Sequence, residues 1–109
     1  MPTTYKVLGQ SNPSATVAST LYTVPSATQA VVSTITVCNQ AATAATYRIA
    51  VRVGGATLAA SQYIAYDVSL PANASDTLTL GVTLGAADVI TVYASTATMS
   101  FAAFGSELS

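Results

Sequence analysis

The chain has 109 residues, enough for one domain with one modest core, and its net charge is −1 with only 6% charged residues. The cations are Lys6, Arg48 and Arg52, too few and too scattered to neutralise a run of phosphates, so nucleic-acid binding is set aside. There is no histidine, which removes Ser–His and Cys–His nucleophile systems and most zinc sites.

Hydrophobic residues make up 51% of the chain, and alanine, threonine, serine and valine fill the space that lysine and glutamate usually take. Threonine and valine are stiff at χ1 and pack well on a pleated surface, so the bias favours strands. Helical spacing of apolar residues is absent; alternation dominates. It predicts about eight strands: Thr4–Leu8, Thr20–Val24, Ala30–Cys38, Thr46–Val53, Gln62–Val68, Thr77–Leu80, Val89–Ala94 and Thr98–Phe104. The clearest is "YRIAVRV", with Tyr47, Ile49, Val51 and Val53 on one side and Arg48, Ala50 and Arg52 on the other. Between the strands lie "GQSNPS", "VPSATQ", "NQAATA", "GG", "SLPANASD", "LGAAD" and "STA". Gly54-Gly55 reads as a two-residue hairpin, and Pro25 and Pro71 fall where strands should stop. The fold expected is all-β: a single-domain antiparallel β-sandwich over residues 1–109, jelly-roll or Ig-like in connectivity.

The core expected from alternation contains Val7, Leu21, Val31, Ile35, Val37, Ile49, Val51, Val53, Ile64, Leu78, Leu80, Val89 or Ile90, Val92, Met99 and Phe101. Cys38 is the only cysteine, so no intrachain disulfide forms; burial as a small apolar residue is the plainer account of it. "MPTTYKVLGQ" lacks the apolar stretch of a secretory signal, and no run approaches the roughly 18 apolar residues of a membrane helix. No membrane partner is expected.

The carboxylates are Asp67, Asp76, Asp88 and Glu107. Asp76 and Asp88 sit in turn-like contexts, where solvated or capping carboxylates are common. No calcium-loop spacing and no phosphate-cradling glycine loop is present, so no catalytic residue, metal ligand or cofactor is assigned and an enzyme is not expected. Arg48 and Arg52 share a strand face roughly 13 Å apart by strand rise. They are either solvated side chains paired with Asp67 or Asp88, or contacts to a partner subunit, where arginine is enriched. The six tyrosines (Tyr5, Tyr22, Tyr47, Tyr63, Tyr66 and Tyr93) spread over five or six segments, which suits core and edge positions better than a sugar platform. The loops that hold Asn12, Asn73 and Asp76 carry no aromatic residue.

The outward positions of the predicted strands are short and neutral. Such side chains lose little entropy when covered, and the lysines and prolines that guard exposed sheets are nearly missing. Much of the exterior is therefore expected to be subunit interface, with the protein a homo-oligomer.

Two runs, "LYTVPSATQAVVSTITVCNQAATAATYRIAVRVGGATLAASQYIAYDVSL" and "LTLGVTLGAADVITVYASTATMSFAAFGSE", carry a resemblance. Their Y-x-V-P start, V-C-N strand end, T-Y-R-I-A-V-R, Y-I-A-Y-D and D-V-I-T-V-Y-A-S strands and final F-G-x-E resemble a small structural virion protein family of tailed phages of marine bacteria and cyanobacteria. The resemblance spans about Leu21 to Glu107 and carries over no catalytic residues. It implies a virion location, assembly in the host cytoplasm, and other virion proteins, major capsid or tail, as partners. In that setting a capsid decoration or cement protein acting through protein–protein contacts is the role expected, with a tail or fibre module, or a host-glycan-binding adhesin, as the alternatives.

Overall fold

The computed structural model describes residues 3–109. Its strands are β1 (Thr3–Ser11), β2 (Ser19–Thr23), β3 (Gln29–Asn39), β4 (Ala45–Arg52), β5 (Tyr63–Leu70), β6 (Ser75–Leu84), β7 (Val89–Ala94) and β8 (Met99–Leu108). They form two antiparallel four-stranded sheets, ordered β1-β8-β3-β6 and β2-β7-β4-β5. An immunoglobulin-like sandwich keeps its first two strands side by side in one sheet. Here β1 and β2 lie in different sheets, and each sheet interleaves strands distant in sequence. That order is a jelly roll, and it settles the connectivity that alternation left open.

The sheets meet through the buried side chains of Val32, Ile35, Val37, Met99 and Phe101 from one and Tyr47, Ile49, Ile90 and Val92 from the other. The Tyr47 and Phe101 rings meet edge to face across the sandwich, centroids 6.1 Å apart. Each buried valine, isoleucine or leucine contributes roughly 1.5–3 kcal/mol against the entropy of ordering the chain. Asn39 closes one end of the core. Its buried amide donates to the carbonyls of Thr43, Leu70 and Pro71, and its Oδ1 accepts the Ala41 N–H. Four two-residue turns place their second residue in the left-handed region: Thr16, Ala27, Asn73 and Ala87.

Strand existence and order along the chain follow the alternation, but its phase does not survive the bulges. Val7, Val31, Val53, Ile64 and Leu80, all expected inside, are exposed. In β3 the register slips between Val32 and Thr34, so Ser33 is the extra residue and Val32, not Val31, enters the core. Opposite it, β6 bulges at Leu80 and Gly81, whose φ of 72° suits glycine, and Leu80 is turned out. In β1 the slip falls at Leu8, which packs against the core while Val7 faces outward beside Phe104. Val53 lies past the end of β4. Gly54-Gly55 is no hairpin: Val53–Gly55 forms a short 3₁₀ turn and the chain runs on to Tyr63 before pairing again.

Candidate interaction surfaces

The jelly roll distributes its few charges unevenly. The sheet β1-β8-β3-β6 contains three charged residues, Lys6, Asp76 and Glu107, and all three occupy its inward-facing rows. Lys6 Nζ bridges to Glu107 Oε1 at 2.8 Å, and Glu107 also accepts the Tyr22 hydroxyl from the other sheet. These bonds hold the Glu107 carboxyl below the usual range, the Lys6 contact first and Tyr22 second. Asp76 accepts the Tyr47 hydroxyl at 2.8 Å. Asp76 thus belongs to a strand and supports a core tyrosine; it is not the turn residue expected.

The outer face of that sheet is left without formal charge. Register aligns Tyr5–Ser106–Val31–Thr83, then Val7–Phe104–Thr34–Thr79, then Gln10–Ala102–Thr36–Thr77, and then Ser100–Cys38–Ser75. Tyr5 is 83% exposed, Val7 50% and Phe104 36%. Cys38 is half-buried on this face rather than in the core, beside a shallow hollow edged by Gln10, Thr36 and Ser100.

The outer face of the second sheet is built differently. Arg48, on β4, lies opposite Tyr93 of β7, and its guanidinium sits 4.3 Å from the ring centroids of both Tyr93 and Tyr66. Its Nε donates to Asp67 Oδ1 at 2.6 Å and its Nη2 to Oδ2 at 3.3 Å, which holds the cation charged well above the ordinary arginine range. Tyr63 joins the cluster edge to face with Tyr66, centroids 5.0 Å apart. The edge strand β5 makes this possible by two irregularities: the register slips once at Ile64 and again at Tyr66–Asp67, where Asp67 has φ 50°. Tyr63 and Tyr66 are three apart and would point to opposite faces of a regular strand. The extra residue at Ile64 puts both on the outside.

Beside this pair is an open depression of about 570 Å³ lined by Leu58, Ala59, Ala60, Tyr63 and Tyr66. The loop that forms its far wall is tied at both ends. Arg52 donates to the carbonyls of Gly55 and Ala56, and Gln62 accepts the Ala59 N–H while donating to the Thr57 carbonyl. The two candidate interface arginines therefore have separate roles. Arg48 pairs with Asp67 as one reading of the sequence allowed, but Arg52 is a latch for the loop. Asp88 pairs with neither; it accepts the backbone N–H groups of Gly54 and Gly85 in a turn. Tyr63, Tyr66 and Tyr93 escape a reading by segment because only the strand order β7-β4-β5 brings them together.

Every carboxylate among the described residues is engaged by a structural partner: Asp67 by Arg48, Asp76 by Tyr47, Asp88 by two backbone amides, Glu107 by Lys6 and Tyr22. No cluster of three metal-ligating side chains occurs among the described residues, and no helix is long and apolar enough to cross a membrane. Compared with models of known families and with the curated proteins, the chain matches none.

Proposed function

We propose that this protein is a non-enzymatic structural component of a phage particle, and within it a capsid decoration or cement protein that acts through protein–protein contacts. The observation that carries the reading is the outer face of β1-β8-β3-β6: four strands wide, with valine, phenylalanine and tyrosine exposed among threonines and serines, and with every charge of the sheet turned inward. Burying such a face desolvates no ion and immobilises few long side chains, so the cost of association is low. Copies of this chain and the shell beneath them are the partners proposed to cover it. The jelly roll agrees with the reading, since the topology is one that viral capsid domains use. The runs that resemble a phage virion family supply the setting. The engagement of all four carboxylates in structural bonds, together with the lack of histidine, favours a binding role over catalysis.

Densitometry of purified particles tests this. A shell protein is expected at on the order of hundreds of copies, as repeated capsid symmetry demands. Copy numbers of tens or fewer would move the protein to the tail or its fibres, and its absence from particles would end the proposal.

A further inference from the structure

We propose that the corner formed by Tyr63 and Tyr66, walled by the loop at Leu58–Ala60, is a binding site for a neutral pyranose sugar. It lies on the sheet opposite the charge-free face and does not depend on the shell reading. The two rings stand almost perpendicular, 82° between planes, with centroids 5.0 Å apart. One ring can take the C–H face of a sugar while the other meets the hydroxyl-bearing edge, and each phenol keeps a polar tip for those hydroxyls. The pair makes a corner rather than a row of parallel ridges, so it suits a compact ring better than an extended proline-rich peptide.

Three features show a preformed site. Tyr66 is 57% exposed, yet its ring is fixed from one side by Arg48, which Tyr93 and Asp67 hold in turn. The opposite wall is pinned through Gln62 and Arg52, so closing on a ligand requires little new ordering. Ala59 and Ala60 present only methyl groups, which lets a ring approach the backbone closely. Edge protection explains why β5 is irregular, but it does not call for two aromatic rings gathered on the outer face beside the bulges. Charge selects the ligand class: both Asp67 oxygens accept from Arg48, and Arg48 is matched by Asp67 and covered by two rings. The lining of the depression carries no charged side chain, and the N–H groups of Arg52 behind it are spent on the Gly55 and Ala56 carbonyls, so a neutral sugar suits it better than an acidic one.

The test is titration of the full chain with neutral trisaccharides of glucose, galactose and N-acetylglucosamine, a sialylated trisaccharide and a proline-rich peptide, read by backbone amide shifts in NMR. At least one neutral sugar is expected to shift the Leu58–Tyr66 amides at millimolar concentration. Tyr66→Ala and Tyr63→Ala should each weaken it by about tenfold or more, a loss of roughly 1.4 kcal/mol. Tyr5→Ala, on the outer face of the other sheet, should stay within about threefold of wild type. Should Tyr66→Ala fail to fold, Ala60→Arg fills the depression without touching the Arg48 stack and should also abolish the shifts. No response to any neutral sugar, a response only to the sialylated sugar or the peptide, or binding that survives both Tyr63→Ala and Ala60→Arg overturns the proposal.

Discussion

At the scale of single residues, a few polar side chains carry more than their number suggests. Asn39 satisfies four backbone groups at the closed end of the sandwich. Asn39→Ala removes these bonds and leaves the buried Leu70 carbonyl without its side-chain donor, and a loss of about 2 kcal/mol is expected in urea unfolding. Nothing in "TVCNQ" marks this asparagine as more than a strand end, because two of its partners, Leu70 and Pro71, come from the far end of β5. The titrating groups set a pH window. Glu107 has its pKa lowered in the fold, so its contribution is present above the unfolded carboxylate value of about 4.3 and is lost as pH falls below it. Tyr22 and Tyr47 have theirs raised, by burial first and then by their bonds to Glu107 and Asp76, so they favour the fold below the unfolded value of about 10 and lose that contribution as pH rises beyond it. Melting temperature against pH should therefore be flat between about pH 5 and 9 and fall on both sides. Tyr22→Phe should reduce the alkaline fall, and an unchanged profile would contradict the assignment.

At the scale of strands, the alternation of "STITV" and "YRIAV" was enough to place all eight elements in order, and "VITVYA" matches β7 from end to end. Phase was not legible where two apolar residues adjoin. "KVLG" and "AVVS" each offer two candidates for the core, and bulges at Leu8 and Ser33 select Leu8 and Val32. A bulge leaves no composition signal unless glycine marks it, as Gly81 does on β6. The same blindness hid the aromatic cluster, since Tyr63 and Tyr66 share a face only through the slip at Ile64. Two glycines show how tightly the strands pass one another. A Cβ on Gly9 would lie 2.0 Å from the Leu21 carbonyl oxygen, where β1 crosses β2, and a Cβ on Gly105 would lie 2.0 Å from that of Val31. Backbone on both sides leaves no flexible side chain to yield. Gly105→Ala is expected to cost about 3 kcal/mol or more, or to prevent folding. Gly54→Ala, with nothing near its Cβ, carries only the left-handed backbone penalty of roughly 1 kcal/mol. Comparing the two by urea midpoint separates crowding from backbone preference.

At the scale of the molecule, seven charged side chains are sorted so that one broad face has none. Three point inward from the first sheet, three cluster on the outside of the second, and Asp88 closes a turn. The scarcity of charge was plain in the sequence; its segregation to one side was not, because it depends on which strands neighbour which. This arrangement leaves an uncharged outer face on one sheet and an aromatic–arginine cluster on the outer face of the other. Phe104 and Val7 stand opposite each other in the middle of the bare face and contribute little to the core. Phe104 is still covered over most of its surface, so Phe104→Lys is expected to stay folded at a cost of about 1–2 kcal/mol. Whether protein rather than water covers this face is measured by sedimentation velocity of the purified chain over a wide concentration range, beside Phe104→Lys. The wild type is expected to associate as concentration rises, and the lysine variant, still folded, to stay monomeric. A wild type that remains monomeric throughout, or association that the lysine leaves untouched, would contradict this expectation.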